Sequence, residues 1–420
     1  MKTLSKRPSR IVAALSLAFL SFALGAPWNG IPLAFANPAL PSVEDLYPSL
    51  RQSTPRIQIL NEMTPIHGLP VIEQELRIAQ AGTLLIKRDD QSTQLLGGNK
   101  ARKLEYLMGE AKARGAKSLI TSGMWGSNHA LATTIAARQQ GYRIHLHLGP
   151  QPVTEAVRKK LLALHALGAD LHFHSTSIGL GFAILKAMIA DALSGGTVFH
   201  IPPGGSSPTG SLGYVNGYLE VVQQFKSEGR ELPERIVVPV GSMGTAAGLL
   251  VGTCLAGHFE RVKMIGIGVS DPLLSNESQT RKHAIALHAF IKDRITPQER
   301  EQFPECDYLH SQKAFAFADD QYAPGYGAPS PAVEATIAWV GRTEQIHLDG
   351  TYSGKAMNWL VEAVRKEVER GTPVSKTLFW LTYNSYDLTS VIQGYPWKNR
   401  DKPWLDLPQD FHKLFTEPQT

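Results

Sequence analysis

Gly97-Gly98-Asn99-Lys100-Ala101-Arg102-Lys103 sets one lysine between a glycine turn and an apolar-periodic run, Leu104, Leu107, Met108 and Ala111. The glycines let the backbone turn without a Cβ penalty, and Asn99 is a good N-cap for the helix that the periodicity predicts. Lys100 then stands beside backbone N–H groups that favour anions, with further cations at Arg102 and Lys103. A lysine crowded by positive charge and partly desolvated has a lowered pKa, and its neutral amine can form a Schiff base with an aldehyde. The same residues also suit a solvated basic patch at the start of a surface helix. What surrounds them decides between the two.

From about residue 80 the chain alternates short β-rich runs with amphipathic ones. The runs 83–86, 118–121, 143–148, 171–174, 235–240, 263–269 and 377–382 read as strands. Helical periodicity falls near 101–115, 129–140, 154–166, 180–194, 213–227, 245–256, 278–293, 331–341 and 354–370. This alternation argues an α/β fold with mainly parallel sheets covered by helices, whose ligands bind at the carboxyl ends of strands. Two strand ends carry small and hydroxyl residues. Ser122-Gly123-Met124-Trp125-Gly126-Ser127-Asn128-His129 offers a hydroxyl and an amide at a helix start, and a plain helix cap would read the same way. In Gly241-Ser242-Met243-Gly244-Thr245-Ala246-Ala247-Gly248, successive N–H groups with the Ser242 and Thr245 hydroxyls suit a nest for one phosphate. Without the Walker lysine or full G-x-G-x-x-G spacing, a nucleotide loop is the weaker reading.

Composition bounds the function. With 43% apolar and 19% charged residues, 420 residues suffice for two or three ordinary globular units. The net charge of +5 comes mostly from Lys2, Lys6, Arg7 and Arg10; beyond residue 36 there remain 38 basic against 37 acidic residues. No basic stripe interleaved with aromatics remains, which argues against a nucleic-acid partner. The basic start, the apolar stretch from Ile11 to about Ala26 and Ala34-Phe35-Ala36 read as an export signal, or as an uncleaved anchor, over residues 1–36. An exported, periplasmic or secreted, protein is the expectation. Cys254 and Cys306 are the only cysteines and allow one bridge or two buried thiols. No metal site is expected: His145/His147 and His172/His174 alternate with apolar residues and read as lining one face of a strand.

Taken together, these elements resemble the 1-aminocyclopropane-1-carboxylate deaminase and D-cysteine desulfhydrase family. The match runs in order through Lys100 in GGNKARKLEYL, Ser127-Asn128-His129, Ile201-Pro202-Pro203-Gly204-Gly205, the Gly241–Gly248 loop, Gly325-Tyr326-Gly327 and Tyr352-Ser353-Gly354-Lys355-Ala356-Met357. It covers about residues 60 to 382. The resemblance implies a fold-type II pyridoxal-phosphate enzyme: two open α/β domains with the cofactor, pyridoxal 5'-phosphate, in the cleft, in a homodimer. We expect a larger cofactor-binding domain from residues 37–102 plus 214–420 and a smaller one from 103–213. The resemblance makes Lys100 the Schiff-base lysine and Lys103 a phosphate contact. Ser242, Met243, Gly244 and Thr245 fall on the phosphate loop, Asn128 on the cofactor's 3-hydroxyl oxygen, and Ser127 near the substrate carboxylate and Cα. Tyr326 and Tyr352 match the two active-site tyrosines, and Ser353 and Thr382 fall at the pyridine nitrogen.

Three positions separate the branches. The deaminases carry glutamate, leucine and glutamine where this chain has Ser353, Thr382 and His129. The last two follow the desulfhydrase pattern, and a hydroxyl at the pyridine nitrogen suits β-elimination. The expected course is Cα proton removal by the released Lys100 amine or a hydroxyl base, loss of a β-substituent, and hydrolysis to pyruvate and ammonia. The alternatives are 1-aminocyclopropane-1-carboxylate deamination and, in another class, an exported binder of amino acid or cofactor without turnover. Gly126 stands in place of the family's glutamine, Leu131-Ala132 in place of Arg-Gln, and Tyr383-Asn384 in place of a glycine pair. With Trp125 beside them, these departures point to a larger or more apolar β-substituted amino acid.

Overall fold

The computed structural model describes residues 40–95, 97–310 and 314–416. The signal-like segment, residues 1–36, lies outside the described residues. Among the described residues, ten strands form two sheets. The larger has the order β1 (Ile66–Gly68), β2 (Leu84–Arg88), β10 (Thr377–Leu381), β7 (Arg235–Val240), β8 (Lys263–Gly268), β9 (Phe315–Ala318). The smaller has the order β5 (Asp170–Phe173), β4 (Arg143–Gly149), β3 (Ser118–Met124), β6 (Val198–Ile201). All pairings are parallel except that of β1 with β2. The seven strands expected from sequence are present, and β1, β6 and β9, of three or four residues, add to them.

Parallel sheets covered on both faces need strands that are apolar throughout. In β7 and β10 every residue is buried, and their side chains divide by parity. Ile236, Val238, Val240, Leu378 and Trp380 join one core cluster, while Val237, Phe379 and Leu381 join the cluster on the opposite face. Nine helices of twelve or more described residues cover the sheets: α1 (Lys100–Ala113), α2 (Asn128–Gln139), α3 (Glu155–Ala166), α4 (Ser177–Leu193), α5 (Pro208–Ser227), α6 (Gly244–Leu255), α7 (Glu277–Lys292), α8 (Pro331–Glu344) and α9 (Ser353–Glu369).

Two expectations need correction. The tail beyond residue 385 was assigned to the larger unit, but Leu388, Trp397, Leu407, Phe411 and Leu414 bury in the smaller sheet's cluster with Val157, Leu161 and Leu164. Arg158 of α3 donates from Nε to the Leu414 carbonyl at 2.8 Å. The tail's apolar residues are spaced irregularly, so only a partner surface could assign them. Asn99 occupies the N-cap position of α1 without a capping bond. Its amide reaches across to Thr245 Oγ1 at 3.0 Å, tying α1 to the start of α6.

Cys254 and Cys306 are joined in a disulfide across a separation of 52 residues, with Cα atoms 5.8 Å apart. A buried ionic cluster anchors α1. Arg102 donates to Asp89 at 2.8 Å and to Glu220 at 2.7 Å; Tyr214 and Trp380 also donate to Asp89, at 2.6 and 2.7 Å. Arg102 is therefore directed away from Lys100 and Lys103, which share the other face of α1 by their i,i+3 spacing.

Candidate active site

The turn before α1 brings Lys100 against the end of β10. Gly98 has φ 79°, and a Cβ there would meet the Thr382 carbonyl at 2.9 Å, so only glycine suits the approach. The backbone N–H of Asn99 donates to that same carbonyl at 3.0 Å. Lys100 is partly buried at the first position of α1. Burial pushes its ammonium down to about 8, and the Asp349 carboxylate partly offsets this.

One turn on, Lys103 is 1% exposed and its pKa lies well below the ordinary lysine value, through burial first and then the nearby Lys100 charge. Among the described residues no carboxylate pairs with it. Its Nζ donates to the Gly204 carbonyl and to Ser206 Oγ, each at 3.2 Å. Ser206 donates to Ser242 Oγ at 2.8 Å and accepts from the Gly244 N–H at 3.3 Å. A Cβ on Gly244 would meet Ser206 Oγ at 2.8 Å, Lys103 Nζ at 2.9 Å and Ser211 Oγ at 2.9 Å. Met243, at φ 67°, turns the chain into α6 so that the helix N-terminus faces this group. A buried ammonium, three hydroxyls and a helix N-terminus with no counter-charge form a cradle for one compact anion such as a phosphate.

The tyrosines close another side. A Cβ on Gly241 would meet Tyr352 Cε1 at 2.8 Å, so that ring lies against the end of β7. The Tyr352 and Tyr326 hydroxyls are 2.6 Å apart, with rings edge-on. Burial raises both phenols, Tyr326 to about 12 and Tyr352 well above its ordinary value, so both remain protonated donors at neutral pH. Ser353 is fully buried and committed to its own helix end: its hydroxyl donates to Asp349 Oδ1 at 2.6 Å and accepts the Asp349 N–H at 2.8 Å. Thr382 is left as the hydroxyl side chain at the end of β10, and is also buried.

On the smaller unit, Ser127 caps α2, accepting the Ala130 N–H at 3.2 Å, so the plain cap reading holds for its oxygen lone pair. Its proton stays available. Asn128 Oδ1 accepts from Lys160 Nζ, which also donates to the Gly126 carbonyl at 3.0 Å. The Asn128 carbonyl oxygen is thereby turned toward α3 and its NH₂ is left for a ligand. Gln151 Oε1 accepts the Gly126 N–H at 2.9 Å, and its amide lies beside Gly327, joining this turn to the Tyr326 turn. His129 is buried between Thr121, 3.0 Å from its Nε2, and Thr133, and burial with Lys100 and Lys103 keeps it neutral. Trp125 stacks on Phe173 in the smaller core. Asn384 spends its amide on the Leu95 carbonyl, at 2.9 Å, holding the loop before Lys100.

Sequence reasoning missed Asp349 and Lys160. Asp349 accepts from the N–H groups of Tyr352 and Ser353, at 3.1 and 2.8 Å, and its charge reaches Lys100, Lys160, Tyr326, Tyr352 and Tyr383. Asp349 lies three residues before the N-cap of α9, outside the positions where an acid marks a helix start, so no local pattern pointed to it. Lys160, pushed down to about 8 by burial, sits mid-helix among other lysines and gives no local signal.

The family model described as pyridoxal-phosphate dependent enzyme matches residues 57–382. A D-cysteine desulfhydrase of Klebsiella pneumoniae (strain 342) is 31% identical over 320 residues, covering 74% of this chain and 89% of that protein. A Pyrococcus abyssi protein, provisionally named 1-aminocyclopropane-1-carboxylate deaminase, is 32% identical over 314 residues, covering 74% and 87%. The solved structure of an ACC deaminase homologue superposes with a TM-score of 0.64 at 28% identity, over 87% of this chain and 99% of the other.

Proposed function

This chain belongs to the pyridoxal-phosphate-dependent enzyme family, and on that premise we propose that it is a lyase removing a β-substituent from a small amino acid, most like D-cysteine desulfhydrase, to leave a keto acid and ammonia. The anion cradle suits the cofactor's phosphate: Ser242, Met243, Gly244 and Thr245 with Lys103 would take it, and Lys100 would hold the cofactor covalently. Asn128, oriented by Lys160, would hydrogen-bond its ring hydroxyl, and Thr382 would face its ring nitrogen. When bound, pyridoxal phosphate supplies an electron sink at the amino acid's Cα, of a strength set by what faces that nitrogen.

The reading is carried by the hydroxyl character of the ring-nitrogen end. Thr382 would be available there, Ser353 replaces a glutamate, and the acid beside it, Asp349, has its oxygens occupied by the Ser353 hydroxyl and three backbone N–H groups, those of Thr351, Tyr352 and Ser353. A weaker sink suffices when a leaving group carries the electrons away. Lys100, with a pKa near 8, has a usable neutral fraction at neutral pH to accept the Cα proton at Nζ. The Tyr326–Tyr352 pair keeps an O–H to donate to the leaving atom or the substrate carboxylate. Export belongs to the same proposal, supported by the basic-then-apolar N-terminus and the Cys254–Cys306 bridge.

The test is keto-acid release from purified protein supplied with D- and L-amino acids bearing β-leaving groups and with 1-aminocyclopropane-1-carboxylate. Pyruvate from a β-substituted substrate, faster than 2-oxobutyrate from the cyclopropane acid, is the expected outcome. The reverse order, or a visible cofactor band with no keto acid from any substrate, overturns it. D-cysteine turned over as fast as any bulkier substrate would sink the larger-substituent expectation drawn from Gly126 and Leu131.

A further inference from the structure

The histidines of β4 and β5 are not used by the site above. His145 and Asp170 are direct cross-strand partners, and so are His147 and His172. All four side chains share one face by the two-residue period of a strand, while Leu146, Leu148 and Leu171 fill the opposite, buried face. His145 Nδ1 lies 2.8 Å from Asp170 Oδ2, and His172 Nε2 lies 3.2 Å from the same oxygen. The three donor atoms all fall within 4.8 Å of one another. A tetrahedral zinc ion with bonds of about 2.0–2.1 Å holds its ligand atoms about 3.3 Å apart. The observed spacing is therefore close to what two imidazoles and a carboxylate need to share one ion.

We propose that His145, Asp170 and His172 form a surface site for a divalent transition metal of borderline softness, zinc in the first instance, with its fourth position open to solvent. The donor set is two imidazoles and one carboxylate, which selects this metal class over calcium or magnesium. The His145, Asp170 and His172 side chains are 35%, 57% and 40% exposed, so an ion can reach them without opening the fold. His147 and His174 support the array rather than complete it. Their Nδ1 and Nε2 atoms lie 3.0 Å apart, and the His147 ring stacks on His172 at 4.6 Å, which fixes the plane in which the His172 nitrogen points. Because β5 is an edge strand of its sheet, a bound ion would clasp it to β4.

Zinc chloride titrated calorimetrically into the cofactor-loaded full chain, with its disulfide intact, tests the site. The wild type is expected to bind one ion per chain at this site, with a rise in Tm. His172→Ala and Asp170→Asn should each weaken binding by about 10-fold or more, with keto-acid release unchanged. His174→Ala, beside the site but not a ligand, should bind far more tightly than either. These positions are partly exposed, and an unchanged Tm without zinc shows that each variant folds. No binding by the wild type, or equal affinity in the wild type and in His172→Ala and Asp170→Asn, overturns the proposal; a loss in His174→Ala as large as in His172→Ala overturns the ligand assignment.

Discussion

Lys103→Met should move stability and cofactor affinity in opposite directions. Without a bound anion, Lys103 is a buried ammonium with two neutral acceptors, Gly204 O and Ser206 Oγ, and its pKa sits well below the ordinary 10.5. A group whose folded pKa is depressed contributes stability that is present above the unfolded pKa and lost as pH falls through the folded one. The cofactor-free wild type should therefore gain stability as pH rises toward 10.5, and the methionine variant should lack that part of the slope. At neutral pH the variant, freed of a buried amine whose charged form burial disfavours, should melt higher than the cofactor-free wild type. With the cofactor the order reverses. A charge-assisted hydrogen bond contributes about 1.5–3 kcal/mol, so the phosphate contact corresponds to about 10- to 150-fold in affinity. At a cofactor concentration of about 100 times the wild-type Kd, linkage adds about 2.7 kcal/mol to the wild type; a variant about 30-fold weaker gains about 0.9 kcal/mol. Calorimetric Tm with and without pyridoxal phosphate across pH 6–10, plus an absorbance titration, measures both arms. Unchanged affinity, or a cofactor-free variant that melts lower with the wild-type pH slope, would refute the assignment of Lys103 to an anion.

Tyr326→Phe removes one O–H from a pair whose oxygens are 2.6 Å apart and leaves the ring; kcat should fall by about 10²–10⁴-fold with the visible cofactor band retained, and a kcat within a factor of three of wild type would remove the phenol from the chemistry. Lys160→Met frees the Asn128 amide to rotate, so kcat/KM should drop by about 10-fold and the cofactor band should shift, both being unchanged if Asn128 is held by the backbone alone. Reducing Cys254–Cys306 reopens a loop of 52 residues, for which chain entropy predicts a stability loss of about 4 kcal/mol; equal Tm in the presence and absence of reductant would show that the bridge adds nothing.

Alternation of β-rich and amphipathic runs was enough to predict the α/β class, seven of the strands and all nine long helices, because hydrophobic period is a local property. The motifs proposed for the cofactor end of the site could be picked out for a related reason. A glycine turn ahead of Lys100, the small residues of 241–248 and the paired tyrosines are each a contiguous motif whose backbone demands can be read from neighbouring residues. Contacts made between distant segments were not legible. Asn99 looks like a cap until Thr245 arrives, 146 residues on, and Arg102 looks like a third site cation until Asp89 and Glu220 claim it. Lys160 meets Asn128 only because α3 folds over the turn after β3, and Asp349 becomes the common charge of the site only when α9 is laid against Lys100 and Tyr326. The two histidine pairs were seen in sequence as strand faces. Register alone decided that His145 faces Asp170 and His147 faces His172, since a slip of one residue would turn every side chain of one strand to the opposite face. Local periodicity thus determined the class of fold, and the family resemblance carried by the motifs implied the kind of cofactor. Burial, pairing and register, which exist only once distant segments pack, decided how each lysine is charged, what each amide and hydroxyl can still reach, and which surface groups converge.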